Sequence, residues 1–224
     1  MDNYMILLIA NSKGGVGKTS LATSILAELA KTKAVIGIDL DSANKAASSL
    51  WSSQRTEQDG KFYYLSGDIL NEISSAANEY DEVVIDAGGY DNTELRTAML
   101  LADVILVPLR IGANSNIEGF RNTSDLIAEI SKTRESKPKV YGVVTAAPHI
   151  GSTPELNRAI QEIIDDPIIE PVAVTLGDRT WYSRAFDAYK GLTEYESPVS
   201  RDKRYVETAQ AEFMKLFEEI YNVK

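Results

Sequence analysis

Residues 11–20 read Asn-Ser-Lys-Gly-Gly-Val-Gly-Lys-Thr-Ser. Two lysines set among three glycines and followed by a threonine are suited to holding a phosphate. Glycines let a backbone wrap an anion without Cβ clashes. The N–H groups of such a loop, and those at the start of a following helix, then point at the charge. In that arrangement Lys18 neutralises the β- and γ-phosphates and the Thr19 hydroxyl ligates Mg²⁺. Gly14, Gly15, Val16, Gly17, Lys18, Thr19 and Ser20 form the expected nucleotide-holding loop, with Lys13 at its start. Ser12 stands where the general P-loop pattern has its first glycine.

The loop must be held by a strand before it and a helix after it. Residues 4–10 are an apolar run that reads as a buried parallel strand, and residues 21–31 read as a helix. Two further apolar runs close on acids. Residues 33–39 end in Asp39-Leu40-Asp41, and residues 82–86 end in Asp86-Ala87-Gly88-Gly89. An acid at the carboxyl end of a parallel strand lies on the ligand-binding edge of an open α/β sheet. There Asp86 would stand near Mg²⁺ through water. Gly88 and Gly89 would let the next loop come close to a terminal phosphate.

Periodicity adds strands at 62–65, 103–108 (stopping at Pro108), 139–146 and 168–176. It adds helices at 44–55, 67–78, 95–101, 117–130, 153–164 and 202–221. Trp51 and the cluster Phe62-Tyr63-Tyr64 read as core. The last helix carries a stripe of Tyr205, Ala209, Phe213, Leu216, Phe217 and Ile220. The expected fold is α/β: a single domain over 1–224 with a P-loop NTPase fold, its mostly parallel twisted sheet flanked by helices on both faces.

With 224 residues, 44% hydrophobic and 25% charged, the chain has ordinary globular composition. It has no cysteine, which excludes disulfides and thiolate-held metals and fits a cytoplasmic setting. His149 is the only histidine, so a zinc site has no ligand set. No apolar stretch approaches the ~20 residues of a membrane span. The first strand begins almost at once, leaving no room for a DNA-reading domain ahead of the loop. The net charge of −10 disfavours nucleic-acid binding by the whole surface. Residues 179–204 go the other way: Arg179, Arg184, Lys190, Arg201, Lys203 and Arg204 outnumber four acids. They are a candidate DNA-phosphate patch, though any one of them is equally well read as a solvated charge. Arg110, in the loop 110–116, reads as a solvated arginine. The final helix carries Glu212, Glu218 and Glu219, a charge that anionic lipid repels, so no membrane partner is expected.

Lys13 gives the stretch Lys-Gly-Gly-Val-Gly-Lys-Thr, which resembles the deviant Walker A motif of the ParA/MinD family of dimeric ATPases. Asp39-Leu40-Asp41 resembles that family's second signature, although Ser42-Ala43-Asn44 replaces the usual Pro-Gln. The glycines after Asp86 resemble those of the small plasmid-type ParA proteins, and the likeness runs over nearly the whole chain. It implies ATP and Mg²⁺ as cofactors and hydrolysis to ADP and phosphate. Lys13 and Lys18 would stabilise phosphoryl charge, and Asp41 would orient the attacking water. Thr19, Asp39 and Asp86 would serve the metal. It further implies an ATP-bound homodimer in which Lys13 reaches the partner's nucleotide, non-specific DNA binding on the nucleoid, and a ParB-like centromere-binding partner that stimulates hydrolysis during plasmid segregation. The residues around the base would lie in the loop 145–149. Two other readings share the fold: an ATPase that positions a non-DNA cargo, and a dethiobiotin-synthetase-like ligase. Lys13, and the lack of further pocket acids or bases, speak against the ligase.

Overall fold

The computed structural model describes residues 4–42, 47–55, 60–148, 151–177 and 180–221. Seven strands form one sheet, all parallel: β1 (Met5–Ile9), β2 (Val35–Asp39), β3 (Lys61–Tyr64), β4 (Glu82–Asp86), β5 (Val104–Arg110), β6 (Lys139–Thr145) and β7 (Glu170–Pro171). Their order is β3-β2-β4-β1-β5-β6-β7. The first strand in sequence is therefore central, and the chain winds out from it in both directions. The crevice at such a reversal, beyond the carboxyl ends of the strands, is where open α/β sheets bind ligands.

The strands alternate between two cores. Ile6 and Leu8 of β1 and Val83 and Ile85 of β4 face one side. Leu7, Ile9 and Val84 face the other. Both sides are apolar because helices cover both, which explains why these strands read as continuous apolar runs. The first face is covered by α3 (Leu70–Glu79), α4 (Thr93–Leu101), α5 (Asn114–Ser131) and α6 (Pro154–Ile164). The second is covered by α1 (Lys18–Leu29), α2 (Ala47–Ser53), α7 (Thr180–Asp187) and α8 (Lys203–Tyr221). Trp51 and Phe213 fill that second core.

Several expectations need correcting. β5 does not stop at Pro108 but runs on to Arg110, paired with β6 throughout. A proline is tolerated where its missing N–H has no strand to meet. β1 pairs with β5 only as far as Ile9–Leu106, and beyond it the Asn11 side-chain amide donates to the Pro108 carbonyl at 2.8 Å. The strand expected over 168–176 shrinks to Glu170–Pro171, since Pro171 cannot donate to a ladder. The following residues still track β6, with a single bridge between Ala147 and Gly177. Tyr63 and Tyr64 are exposed rather than core, because β3 is an edge strand and only Phe62 turns inward. On α8 it is Val206, not the exposed Tyr205, that completes the buried stripe. Helix α7 was not anticipated as a helix. Of the expected 44–55 helix, residues 47–53 are helical and 44–46 lie outside the described residues. His149 and Arg179 also lie outside them.

Candidate nucleotide site

The register of the central strands sets the site. Ile9, Asp39 and Asp86 are aligned across β1, β4 and β2, so the P-loop and both strand-ending acids emerge level at one edge. Gly17 ends the loop in the left-handed region at φ 104°, a conformation open to glycine without strain, and α1 starts at Lys18 with no side chain capping it. The first-turn N–H groups of α1 are thus left to an anion. Thr145, at the end of β6, donates its hydroxyl to the Val16 carbonyl at 2.9 Å and pins the loop from the far side.

The cleft over this loop has a volume of about 590 Å³. Gly14, Gly15, Gly17, Lys18, Thr19 and Ser20 line its floor, with Asp41, Gly89, Tyr90 and Arg110 around it. Lys18 is buried, and its ammonium donates to the Lys13 carbonyl at 3.1 Å. Burial pushes Lys18 below the ordinary lysine value, while the charges of Asp86 and Asp41 act upward. Lys13 is half-buried and lies outside the cleft's lining. A second cleft of about 260 Å³ continues past Gly17, Ser20 and Arg110. Its walls include Val16, Leu21, Thr145, Ala146, Leu176 and Tyr182.

The three aspartates do different things. Asp39 accepts the Asp41 N–H at 2.9 Å and the Ser49 N–H at 3.0 Å, so it holds the Asp41 loop and α2 in place. Burial raises its value above the ordinary carboxylate range, against those backbone bonds. Expected to serve the metal, it has each of its two oxygens engaged by one of those backbone groups. Asp41 is buried and lines the cleft. Asp86 is fully enclosed. One oxygen accepts the Ser48 hydroxyl, and the other, Oδ1, has no hydrogen-bond partner. Burial pushes its carboxyl up to about 7; the Asp39 charge adds to this, while the Ser48 hydroxyl, and less so Thr19 and Lys18, oppose it. A buried carboxylate with an unused oxygen beside a threonine hydroxyl suits a hard cation. Among the described residues no group of three or more His, Cys, Asp or Glu could cage a metal.

These residues were foreseeable from strand ends. Others were not. Arg110 lines the cleft, Ser48 bonds Asp86, and Asn11, Gly119 and Thr123 contact Ser12 or Lys13 ahead of the cleft, yet none belongs to a motif. Only Asn11 left a trace, as a polar residue closing an apolar strand.

Residues 7–182 match the family described as the CobQ/CobB/MinD/ParA nucleotide binding domain. The chain belongs to this family. Protein ParA of Rhizobium radiobacter is 26% identical over 96% of this chain and 97% of its own. An ATP complex of a Cyanothece McdA variant aligns over 100% of this chain and 98% of that one, with a TM-score of 0.71 at 13% identity. The MinD cell division protein of Aquifex aeolicus aligns over 98% of each chain, with a TM-score of 0.70 at 16% identity. At such identities the solved structures show the fold, which is the ParA/MinD type of P-loop NTPase.

The basic residues of this family member are only partly gathered. Arg184 lies 3.5 Å from Asp202 and stacks over Trp181 at 4.7 Å. Arg201 reaches the same Asp202 at 3.9 Å. Lys203 and Arg204 are exposed on the first turn of α8, and Lys190 is half-buried. Among the described residues no helix is long and apolar enough to cross a membrane.

Proposed function

We propose that the chain is an ATP-hydrolysing switch for DNA partition, closing as a homodimer on ATP and binding DNA without sequence preference. The observation that carries this reading is the division of labour between the two lysines. Lys18 is inside the phosphate cleft of its own chain, and Lys13 is outside it. In this reading Lys13, outside the cleft of its own chain, serves a nucleotide on a second copy.

In this reading the phosphates lie over Gly14–Thr19 and the base in the adjoining cleft by Thr145 and Ala146. The Thr19 hydroxyl and the Asp86 carboxylate would hold Mg²⁺, which would supply positive charge toward the phosphates. Lys18 and, from the partner, Lys13 stabilise charge that grows on the transferred phosphoryl group. Asp41 orients the attacking water. Hydrolysis then releases the dimer, and a ParB-like centromere-binding partner sets its timing.

DNA contact falls to the Arg184, Lys190, Arg201, Lys203 and Arg204 surface, with Arg179 beside it in sequence. Lys203 and Arg204 stand at the helix end where the dipole disfavours cations. That placement makes better sense for a phosphate ligand than for helix stability. Retention of the protein on non-specific DNA, with ATP, ADP or no nucleotide and at two salt concentrations, tests the reading. ATP-specific, salt-sensitive retention that falls when Arg201, Lys203 and Arg204 become alanine supports it. Equal or absent retention in every state rejects it.

A further inference from the structure

Gly119 lies in the middle of α5, an 18-residue helix, at an ordinary helical backbone angle. Glycine there weakens the helix relative to alanine, and a close approach accounts for it. A Cβ at Gly119 would lie 2.7 Å from the Lys13 Cβ and 3.1 Å from the Asn11 Oδ1. The missing side chain is the space that Lys13 occupies.

Hydrogen bonds close around the same point. The Ser12 hydroxyl donates to the Gly119 carbonyl at 2.9 Å, and the Thr123 hydroxyl donates to that carbonyl at 2.8 Å. The Thr123 oxygen in turn accepts the Ser12 N–H at 2.9 Å. Lys13 itself donates its N–H to Asn11 at 2.7 Å and gives its carbonyl to Lys18. Its backbone is held at nitrogen and oxygen, and its Cβ rests on Gly119. Only the rest of the side chain is left to move.

We infer that Gly119 and Thr123 of α5 are positioning residues that fix the backbone from which Lys13 projects, aiming its ammonium away from its own phosphate cleft and at a nucleotide on a second copy of the chain. This rests on the trans role proposed for Lys13. The direct contacts of Gly119 and Thr123 reach Asn11, Ser12 and Lys13, and the cleft residues meet them only through the Lys13 carbonyl, which accepts from Lys18. They also give α5 a direct hold on the loop. A shift of the helix along its axis would carry Ser12 and Lys13 with it.

The test compares Gly119→Ala, Thr123→Val and Thr123→Ser with Lys13→Ala and the unaltered chain. Dimerisation is followed by analytical ultracentrifugation with a non-hydrolysable ATP analogue, and monomer binding by fluorescent ADP. Gly119→Ala and Thr123→Val are expected to weaken analogue-dependent dimerisation about tenfold or more, equivalent to at least 1.4 kcal/mol, with ADP affinity near that of the unaltered chain. Thr123→Ser, which keeps the hydroxyl, should restore dimerisation. Should the alanine variant not fold, the valine–serine pair decides the matter in the same way. The inference is overturned if dimerisation is unchanged while Lys13→Ala abolishes it, or if ADP affinity falls in parallel, which would mark general loop disorder. A Lys13→Ala chain that dimerises normally would instead remove the trans role, and the purpose of the clamp with it.

Discussion

Replacing Asp86 by asparagine should stabilise the nucleotide-free protein at pH 8, even though it removes a functional group. Asp86 is fully enclosed and held at about 7, against an ordinary value near 3.8, chiefly by loss of water. The folded chain therefore holds this proton more tightly than the unfolded one. Its contribution to stability is fully present below about pH 4, is lost as pH rises toward 7, and is absent above that, where the chain carries the whole cost relative to a neutral side chain. At about 1.4 kcal/mol per pH unit, ionised Asp86 costs the folded state up to about 4 kcal/mol. Asparagine removes the charge and still offers an acceptor to Ser48. Thermal unfolding without nucleotide should show Asp86→Asn raised in Tm at pH 8 by up to about 10 °C, and nearly level with the unaltered chain at pH 4. Adding Mg²⁺ and ATP should reverse the order, because only the carboxylate rewards the cation. The reasoning is refuted if the variant is no more stable at pH 8, or if the difference is the same at both pH values.

Lys18→Ala should abolish nucleotide binding by calorimetry; tight ATP binding in that variant would remove the loop from its assigned role. Asp41→Ala should bind ATP and remain dimeric with no phosphate release, and normal turnover would take Asp41 out of the reaction. Arg55 forms two 2.8 Å bonds with Glu194 and lies over Trp51 at 4.5 Å, its side chain only 1% exposed. Glu194→Ala would strand that guanidinium, so urea unfolding should show a loss of about 3 kcal/mol; a loss under 1 kcal/mol would show that water replaces the carboxylate.

What could be read in advance depended on the range of the interactions involved. The strand before the loop, the helix after it, and the acids at Asp39 and Asp86 announce themselves because each is local: an apolar run and the residue that ends it. Pro108 misled because whether a proline stops a strand depends on the neighbour, and here β1 has already ended. Ser48 left no trace, because it faces Asp86 only once α2 packs back on β2 and β3. Gly119 carries no signal of its own in the sequence, because Lys13 lies against it only in the folded chain. The basic residues at 184 and 201 counted as two charges in the chain, but in space they share Asp202.

Putting β1 in the middle of the sheet also has a consequence for assembly. The phosphate loop is made within the first twenty residues, but β1 has no neighbour until β4 and β5 exist, and Ser12 has no anchor until Gly119 and Thr123 are in place. At a synthesis rate of roughly 5–20 residues per second, the loop waits several seconds for the residues that shape it. Its apolar strand is without a partner until β4 and β5 emerge, as expected for parallel sheets built from distant pairings. A nascent chain released before α5 carries the complete motif and lacks the contacts that aim it. The ability to pair with a second copy thus arrives late in the life of the chain, and a fragment ending before α5 would put β5 into the cell without its β6 partner and without a working switch.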